Sequence, residues 1–452
     1  MKKLTSFLIC LLAVIVGAMF AFNFYGVTQP GIYYSQFENQ KKVSELPVIE
    51  PDHLDDVIVP EYYNCIDTGK VNKTRDQGEL GSCWAFAANA ALESRLLPEE
   101  SWDFSEDHML YHNGFFNDGN DGGDCFMAIA YLTAWKGPVP EEQDPYNDGE
   151  TNSDATAVKH LQEVLLLEDE PFEVIKKMIY CYGAVESSIY IAIDDEQYID
   201  ETYYNRYNYT YCYNGDQDAN HEIVIIGWDD EFPKEYFNTG ALTDGAFICL
   251  NSWGSEFGAN GVFYVSYDDA QIAGSVEVYS GLEPGDNYDN IYQNDELGWI
   301  GRMGFDSPTA FFANVYTAKG NETLEAVSFY ATDKDTTYAV YVCNEFQEES
   351  DLLLNRSLCA QGVLEYSGYY TIDLSETCNV KAGEKYAVIV EITTPGSIHP
   401  IAVEMNGNDG RSENTVLEGR ESYVSANGRI WERTQDESKC NVCLKAFTNN
   451  DR

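Results

Sequence analysis

The sequence predicts an α+β chain, in which a two-lobe domain with one mainly helical and one mainly β lobe precedes an antiparallel β-sandwich. Three observations support this prediction. Apolar residues recur at helical spacing after Cys83, and apolar runs near His221 and Ile248 indicate buried strands. Short alternating runs, separated by turns rich in Gly, Asn and Asp, follow Gly281. At 452 residues the chain is too long for one ordinary core, so two domains are expected.

The composition indicates a folded and strongly acidic protein. Hydrophobic residues make up 44% of the chain and aromatic residues 14%, which is a folding composition and not a disordered one. The formal net charge is −49, from 76 acidic and 27 basic residues. This balance argues against nucleic acid and anionic membrane surfaces as partners, because both require a basic patch. We interpret the acidity as solubility in a salty or acidic exterior.

The N-terminus has the features of an export signal. Lys2 and Lys3 precede an apolar run at residues 7–22, and small residues at 16–18 provide a cleavage site. We predict that residues 1–22 are a signal peptide or an uncleaved signal anchor, since the run is nearly long enough to span a bilayer. The protein is then secreted or extracellular, or anchored at the cell surface by this segment. Residues 23–58 are polar, contain three prolines and lack helical periodicity, which predicts a short propeptide or a linker.

Three residues spread along the first domain have the chemistry of covalent catalysis. Cys83 is expected in the first turn of a helix, where unpaired N–H groups and the positive end of the dipole favour a thiolate. His221, at the start of a predicted buried strand, would protonate the leaving amine. Asn251 follows the strand-like run 246–250 and would fix the orientation of the imidazole.

These residues and their surroundings resemble the papain family of cysteine peptidases. Gln-Gly-x-x-Gly-Ser-Cys-Trp-Ala-Phe around Cys83, then His221, then Asn-Ser-Trp-Gly from Asn251 occur in the family's order. His221 follows Cys83 within the roughly 130–150 residues expected for this family. The resemblance covers residues 59–282, which we predict to be the peptidase domain. It implies a papain-like two-lobe fold that hydrolyses peptide bonds through a thioester acyl-enzyme, without metal or other cofactor.

The resemblance also assigns roles to the remaining candidate residues. Gln77 would donate its side-chain N–H to the oxyanion, and Trp253 would shield the bond between His221 and Asn251. The substrate-binding candidates are Gly122, Gly123, Ser188 and Glu222. Gly122 and Gly123 would present bare backbone to an extended substrate. Glu222 would line the pocket for the second residue before the scissile bond and favour Lys or Arg there, unless it is only a solvated or interlobe carboxylate.

The chain departs from the family at one point. Leu80 stands where the family often has cysteine, and Asn120 stands where its disulfide partner would be. Both halves of that bridge are absent together, so catalysis is not put in doubt. The roughly 2–4 kcal/mol that such a disulfide contributes must come from elsewhere.

Residues 283–452 are predicted to form the antiparallel sandwich. This region resembles the lectin-like domain that follows papain-like domains in some secreted bacterial and archaeal proteases, through residues 291–295, 313–316 and 422–425. A glycan or cell-surface ligand is a candidate partner for this domain, although sugar binding does not follow from the fold alone. The lone Cys440-x-x-Cys443 pair is weak evidence for zinc and predicts a disulfide or two reduced thiols. The acidic loop at 117–124 does not fit the EF-hand spacing, so no calcium site is predicted.

Two other classes of protein fit parts of the pattern. A surface adhesin could use an inactive protease-like domain as a binding scaffold, although the intact set of Gln77, Cys83, His221 and Asn251 argues against it. A transglutaminase also uses a cysteine and a histidine, but it expects aspartate as the third residue. The sequence therefore favours a secreted cysteine peptidase acting on protein or peptide substrates.

Overall fold

The computed structural model describes residues 48–49, 54–71, 73–116, 119–193, 199–407 and 410–451. The predicted signal segment and most of the predicted propeptide or linker lie outside these residues. The chain divides into two compact units. The first unit is Glu50–Asn287 together with Tyr366–Tyr370, and the second contains Tyr288–Glu365 and Thr371–Arg452. Strand β1 (Val48–Ile49) belongs to the second unit, where it pairs in parallel with residues 363–364.

The helices of the first unit precede most of its strands. They are α1 (Cys83–Leu96), α2 (Glu106–His112), α3 (Cys125–Thr133) and α4 (Phe172–Tyr182), with 3-10 turns at Leu54–Asp56, Glu141–Gln143 and Lys234–Tyr236. Helix α1 is rich in alanine and buries most of its length. It ends where Leu97 becomes extended before Pro98, because a residue that precedes proline disfavours the helical conformation. Helix α4 ends at Gly183, whose φ of 103° is accessible mainly to glycine.

The strands of the first unit form a largely antiparallel sheet. They are β2 (Tyr62–Asn64), β3 (Lys159–Glu168), β4 (Val185–Ile189), β5 (Tyr204–Asn205), β6 (Thr210–Tyr211), β7 (His221–Asp229), β8 (Ala246–Leu250), β9 (Val262–Ser266) and β10 (Ser275–Pro284). Their order is β3-β10-β4-β7-β8-β9-β6-β5, with β2 also paired to β7. The central strand β7 is buried along most of its length and packs against α1. This packing brings the start of α1 and the start of β7 into one unit.

The second unit is built mostly from antiparallel strands. They are β11 (Asn290–Gln293), β12 (Gly301–Met303), β13 (Thr309–Thr317), β14 (Glu322–Ala331), β15 (Thr336–Cys343), β16 (Ser357–Leu364), β17 (Ser367–Val380), β18 (Lys385–Thr393), β19 (Ile401–Met405), β20 (Ser422–Ser425), β21 (Glu432–Arg433), β22 (Cys440–Val442) and β23 (Leu444–Asn450). One sheet has the order β1-β16-β15-β18-β13-β20-β21, a second path runs β11-β23-β14-β17, and β12-β19-β22 form a third. A short helix, α5 (Asp351–Leu354), and a 3-10 turn at Ser412–Asn414 complete the unit.

The observed elements confirm the predicted fold class. The alternating runs that predicted strands at 310–316, 324–330, 338–342 and 385–391 lie within β13, β14, β15 and β18. Residues 367–370, at the start of β17, belong to the first unit, where they pair antiparallel with β3. Strand β10 runs through residues 282 and 283, where the sequence suggested a boundary, and the first unit continues to Asn287. Among the described residues, no helix is long and apolar enough to cross a membrane.

Candidate active site

The loop before α1 is held by close backbone packing. The Gly81 N–H donates to the Gly119 carbonyl at 3.2 Å, and a Cβ on Gly81 would lie only 2.9 Å from the Gly122 nitrogen. Only glycine permits this approach, because real Cβ atoms essentially never come so close to backbone. The loop therefore contacts residues 119–122 directly. This contact lies next to Leu80 and Asn120, which occupy the positions where the family often has two disulfide-bonded cysteines.

Cys83 is the first residue of α1, and its side chain is partly exposed. Burial of the surrounding site raises the pKa of the Cys83 thiol to about 11, while hydrogen bonds from the backbone N–H groups of Glu222 and Trp84 act to lower this pKa. The contact with the Glu222 N–H places the sulfur next to the start of β7. The predicted nucleophile therefore lies beside the strand that carries His221.

His221 is oriented by its neighbours. Its Nε2 lies 2.8 Å from Asn251 Oδ1, and that oxygen also accepts from the Ser252 N–H at 2.8 Å. The Trp253 ring packs against the imidazole of His221, with the two ring centroids 4.8 Å apart. Because Asn251 occupies Nε2, the other ring nitrogen, Nδ1, is left for the Cys83 side. The structure thus brings together three predicted residues, His221, Asn251 and Trp253.

The electrostatic environment differs from the one that the sequence suggested. Burial lowers the pKa of His221 to about 4, and the hydrogen bond to Asn251 only partly opposes this effect. Together with the raised pKa of Cys83, burial therefore favours a neutral thiol beside a neutral imidazole. An ion pair would require transfer of one proton from sulfur to nitrogen, which would create both charges at once. The α1 N-terminus and the backbone N–H groups of Glu222 and Trp84 would stabilise the resulting thiolate.

Gln77 is fixed at both ends of its side-chain amide. Its Oε1 accepts from Ser252 Oγ at 2.7 Å, and its Nε2 donates to the Leu80 carbonyl at 2.8 Å. The Gln77 backbone N–H also donates to the Ser252 carbonyl at 2.8 Å. An amide nitrogen carries two hydrogens, so one remains for the predicted oxyanion. Sequence reasoning gave Ser252 no role, although it is the second residue of the Asn-Ser-Trp-Gly motif.

Tyr146 is a second positioning residue that sequence reasoning missed. Its hydroxyl donates to the Gln77 carbonyl at 2.8 Å and lies 2.7 Å from Ser82 Oγ, so it joins the residues on both sides of the loop before Cys83. Its ring packs edge-on against Phe86 of α1 at a centroid distance of 4.8 Å. Nothing in the local sequence around Tyr146 marks it, because the contact spans more than sixty residues of chain.

The two predicted substrate-binding glycines have different surroundings. Gly122 has a φ of 70°, and the position that a Cβ would occupy is open space. At Gly123, a Cβ would lie 2.4 Å from Trp84 Nε1. Gly123 is therefore required by its packing against Trp84, whether or not it also contacts substrate. Both residues are partly exposed, as a substrate contact requires.

Glu222 is one member of a buried group of carboxylates. Ser188 Oγ donates to Glu222 Oε1 at 2.7 Å, so two predicted substrate-binding residues contact each other. In the sheet register, Ser188 lies opposite Glu222, while Glu186 lies opposite Glu277 on the other side of β4. Because side chains alternate along a strand, the three carboxylates point to one face of the adjacent strands β7, β4 and β10.

The carboxyl trio (Glu186, Glu222 and Glu277) holds protons unusually tightly. Burial is the main cause that raises the pKa of all three, and repulsion from Glu222 adds to the shift at Glu186 and Glu277. Tyr279 Oη donates to Glu186 Oε2 at 2.6 Å, and Ser275 Oγ donates to Glu277 Oε1 at 2.9 Å. Sequence reasoning missed Glu186 and Glu277, because the strand register alone brings them together.

Comparison with known proteins identifies the class of this chain. Residues 59–280 match the family model described as papain family cysteine protease, and residues 291–448 match the one described as lectin like domain. Residues 59–280 thus form a papain-family cysteine protease domain, and a lectin-like domain follows.

Individual relatives agree with this assignment. The viral cathepsin of Heliothis zea nuclear polyhedrosis virus is 31% identical over 46% of this chain and 53% of its own length. Pro-cathepsin H of Medicago truncatula is 28% identical over 46% of this chain and 58% of its own length. The chain therefore spans little more than half the length of these curated relatives.

A solved structure resembles nearly the whole chain. The crystal structure of the cysteine protease and lectin-like domains of Cwp84, described as a surface layer associated protein of Clostridium difficile, has a TM-score of 0.74 and 26% identity. The similarity covers 87% of this chain and 90% of the Cwp84 chain. A clostridial Cwp84 structure after propeptide cleavage gives the same TM-score and covers 99% of the solved chain. The similarity thus includes both domains.

Proposed function

We propose that this chain is an exported cysteine peptidase that hydrolyses peptide bonds through a thioester formed on Cys83. The observation that carries the proposal is the 2.8 Å contact between His221 Nε2 and Asn251 Oδ1. Cys83 is the first residue of α1 and His221 is the first residue of β7, and these two elements pack against each other in one unit.

The geometry supports a two-step reaction. His221 accepts the proton of Cys83, and the sulfur attacks the substrate carbonyl carbon. The Gln77 amide and the Cys83 backbone N–H donate hydrogen bonds to the oxyanion. Collapse of this intermediate breaks the C–N bond, and His221 gives its proton to the leaving amine. His221 then deprotonates a water molecule, which attacks the thioester carbon, so that the second product leaves as a carboxylic acid and the thiol is restored.

The test is a digest of a peptide library with the wild-type protein and with Cys83→Ala. Cleavage by the wild type alone supports the proposal and reads the sequence preference at the same time. The rival function, an adhesin with an inactive protease-like scaffold, predicts no cleavage by either protein. The rate of alkylation of Cys83 at pH 5 separates the two as well, because a thiol whose pKa is raised to about 11 reacts at that pH only if it can pass its proton to His221.

Glu222 provides a prediction about specificity and its pH dependence. Burial raises the pKa of Glu222 to about 7, so this carboxyl is neutral well below pH 7 and charged well above it. We expect kcat/KM for a substrate with Arg at the second position before the scissile bond to rise relative to the Leu substrate as pH rises through about 7. A hydrogen bond to a charged group contributes about 1.5–3 kcal/mol, which corresponds to a preference of roughly 10- to 100-fold.

The ratio of the two substrates isolates this effect, because titration of Cys83 and His221 changes both rates alike. Glu222→Gln should give a lower Arg/Leu ratio that does not vary with pH. The matched control is Glu235→Gln, which removes a charge from an exposed 3-10 turn. An Arg/Leu ratio that is the same in the wild type and in Glu222→Gln at pH 8 would show that Glu222 is only a structural carboxylate.

The proposed location is outside the cell or at its surface. The apolar N-terminal segment and the resemblance to Cwp84, which is described as a surface layer associated protein, support this proposal. We further propose that the lectin-like domain binds a glycan or another cell-surface ligand and that the peptidase domain acts on proteins or peptides. Sequencing the N-terminus of protein recovered from the culture medium and from cell envelopes distinguishes secretion from anchoring.

An exported chain can also form a disulfide, and one cysteine pair is suitably placed. Cys359 on β16 and Cys378 on β17 have their sulfur atoms 4.0 Å apart, although all the cysteines in the described part of the chain are free in this structure. We expect the protein isolated from an oxidising exterior to contain this bond. It would close a loop of about twenty residues and raise the free energy of unfolding by about 3 kcal/mol.

Denaturant unfolding with and without reductant measures this contribution. The unfolding midpoint of the wild type should fall on reduction, whereas the midpoint of the Cys359→Ala/Cys378→Ala double variant should not change. Cys181→Ser, on helix α4, serves as the control and should behave as the wild type. Equal numbers of titratable thiols in the denatured protein before and after reduction would rule out the bond.

A further inference from the structure

Three of the six histidines of the chain line one cavity in the first unit. His108, His112 and His160 border an open cavity of about 470 Å³, and none of them has a part in the proposed peptidase reaction. The sequence predicted no metal site, because only His108 and His112 share an element and no spacing motif joins all three histidines. The fold brings His160 to the same cavity as the other two.

Two of these histidines, His108 and His112, form a cluster with Asp144. His108 and His112 are one helical turn apart on α2, so they share a face of the helix, and their ring centroids lie 4.5 Å apart. One ligand atom each from His108, His112 and Asp144 lie within 4.8 Å of one another. Tetrahedral zinc with bonds of about 2.0–2.1 Å separates its ligand atoms by about 3.3 Å. Small side-chain rotations therefore suffice to close the cluster on an ion.

We propose that His108, His112 and Asp144 form a binding site for a divalent transition-metal ion, with zinc the best match. Imidazole nitrogen and carboxylate oxygen are ligands that zinc prefers, whereas calcium and magnesium require sets made of oxygen alone. Nickel and copper suit the same ligands, so the probe metals in the experiment below include an open-shell ion.

Contacts behind the ligands orient them as metal sites require. His108 Nδ1 lies 2.7 Å from the hydroxyl of Tyr131, a fully buried residue of α3. The tautomer that donates from Nδ1 to this hydroxyl leaves the Nε2 lone pair for an ion. Asp144 is almost fully buried, and its Oδ1 accepts from the Asn152 N–H at 2.8 Å. The contact at His108 thus leaves Nε2 for an ion, and the contact with Asn152 occupies only one of the two carboxylate oxygens of Asp144.

Thr151 connects the other two ligands. Its hydroxyl lies 2.5 Å from His112 Nε2 and donates to Asp144 Oδ2 at 3.3 Å. The Thr151 hydroxyl therefore bridges the imidazole of His112 and the carboxylate of Asp144. Rotation of this hydroxyl frees Asp144 Oδ2 for an ion.

His160 borders the same cavity, but it is not one of the three residues whose ligand atoms lie within 4.8 Å of one another. Its ring stacks on Trp135 at a centroid distance of 3.7 Å, and its Nδ1 lies 2.6 Å from Asn287 Oδ1. A water molecule is therefore the expected fourth ligand of the ion.

The local charge favours a cation. Asp107, which precedes His108, is almost fully buried, and its Oδ1 accepts at 3.1 Å from the N–H of Asn147, three residues after Asp144. The cavity also contains Lys136, whose Nζ donates to the Asn113 carbonyl at 3.0 Å. One ammonium group against the two carboxylates of Asp107 and Asp144 leaves the region negative, in a chain whose net charge is −49.

An ion at this site would stiffen the loop that supports the active site. Asp144 precedes Tyr146, whose hydroxyl contacts the Gln77 carbonyl and Ser82 Oγ on either side of the loop before Cys83. Metal binding to Asp144 would fasten residues 144–152 to helix α2. The consequence for peptidase rate rests on the proposed function, but metal binding itself does not.

The test measures metal binding by the full chain with the Cys83→Ala substitution, purified free of metal. This substitution removes the catalytic thiol, which would otherwise offer zinc a competing site with His221. Calorimetric titration should show one zinc ion bound. Cobalt(II) should give weak visible absorption bands without the intense near-ultraviolet band of thiolate ligation, because the proposed ligands contain no sulfur.

Substitutions then identify the ligands. In the Cys83→Ala background, Asp144→Asn and His112→Ala should each weaken zinc binding by at least roughly 100-fold, the upper end of what loss of an outer contact costs. Tyr131→Phe, which removes only the hydroxyl behind His108, should weaken it by roughly 10- to 100-fold. His399→Ala, in the second unit, should leave zinc affinity unchanged.

Circular dichroism confirms that each variant is folded, and the half-buried His112 is the ligand whose loss disturbs packing least. Unchanged affinity in Asp144→Asn or His112→Ala, or a thiolate band in the cobalt spectrum, would overturn the proposal. Absence of cleavage activity in the wild type would instead bear only on the proposed peptidase function.

Discussion

Replacing Cys83 with alanine is expected to lower kcat/KM by roughly 10⁵- to 10⁶-fold, the scale on which loss of a covalent nucleophile acts in proteases. Cys83 is the first residue of α1, and α1 packs against β7, the strand that begins at His221. Alanine keeps the first turn of α1 and removes only the atom that forms the thioester. Hydrolysis of a fluorogenic peptide measures the loss, and mass spectrometry of the acylated protein shows whether residue 83 carries the acyl group.

The control for this substitution is Cys181→Ser, which changes a partly exposed thiol on α4 and should retain wild-type rates. Thermal unfolding of both variants shows whether the fold is intact. Substantial cleavage by a folded Cys83→Ala protein would contradict the nucleophile assignment and would favour a contaminating protease or a different catalytic group.

Replacing Gln77 with alanine should lower kcat by about 10²- to 10³-fold, equivalent to about 2.7–4 kcal/mol of transition-state stabilisation. Its amide is held by Ser252 and Leu80, so the hydrogen that remains on Nε2 has a fixed direction. Because this hydrogen acts on charge that develops in the transition state, KM should change little. Steady-state kinetics with a single peptide substrate separates the two constants.

Two further variants sharpen the interpretation. Ser252→Ala removes the hydroxyl that orients the amide but keeps the donor, so its loss of kcat should be smaller than that of Gln77→Ala. Gln217→Ala, at an exposed position, is the matched control and should leave kcat unchanged. The rate of Cys83 alkylation should be similar in all of these proteins. A large fall in alkylation rate for Gln77→Ala would instead mean that Gln77 supports the thiol.

The local features of the site were predictable from sequence because they depend on short-range physics. The helical spacing after Cys83 and the apolar run after His221 each specify one element, and α1 and β7 begin at those residues. The spacing of three motifs then implied their convergence through a family resemblance. The α+β fold class, with strands after Gly281, followed from periodicity in the same way.

What sequence reasoning missed depends on contacts between distant segments. Glu186 and Glu277 join Glu222 only because of the register of β4, β7 and β10, and no local pattern encodes that register. Tyr146 contacts the loop before Cys83 although more than sixty residues of sequence separate them. The histidine cavity is likewise formed by segments that are distant in sequence.

The expected thiolate at Cys83 shows a different limit of sequence reasoning. The position of Cys83 at a helix start correctly indicated a dipole that favours the thiolate, but the extent of burial around Cys83 and His221 is a tertiary property. Burial shifts the pKa of both groups towards their neutral forms, so the balance between dipole and desolvation is set by the packed structure and not by the motif.

The contact of Gly81 with the 119–122 backbone has a practical consequence for how such an enzyme could be maintained. Outside the cell, a catalytic sulfur is open to oxidation, and small-molecule reductants restore it. In relatives that join the same two segments by a disulfide, the reductant also cleaves that disulfide. Here the two segments are in contact through main-chain atoms, which no reductant cleaves, so reduction of the sulfur leaves this contact unchanged.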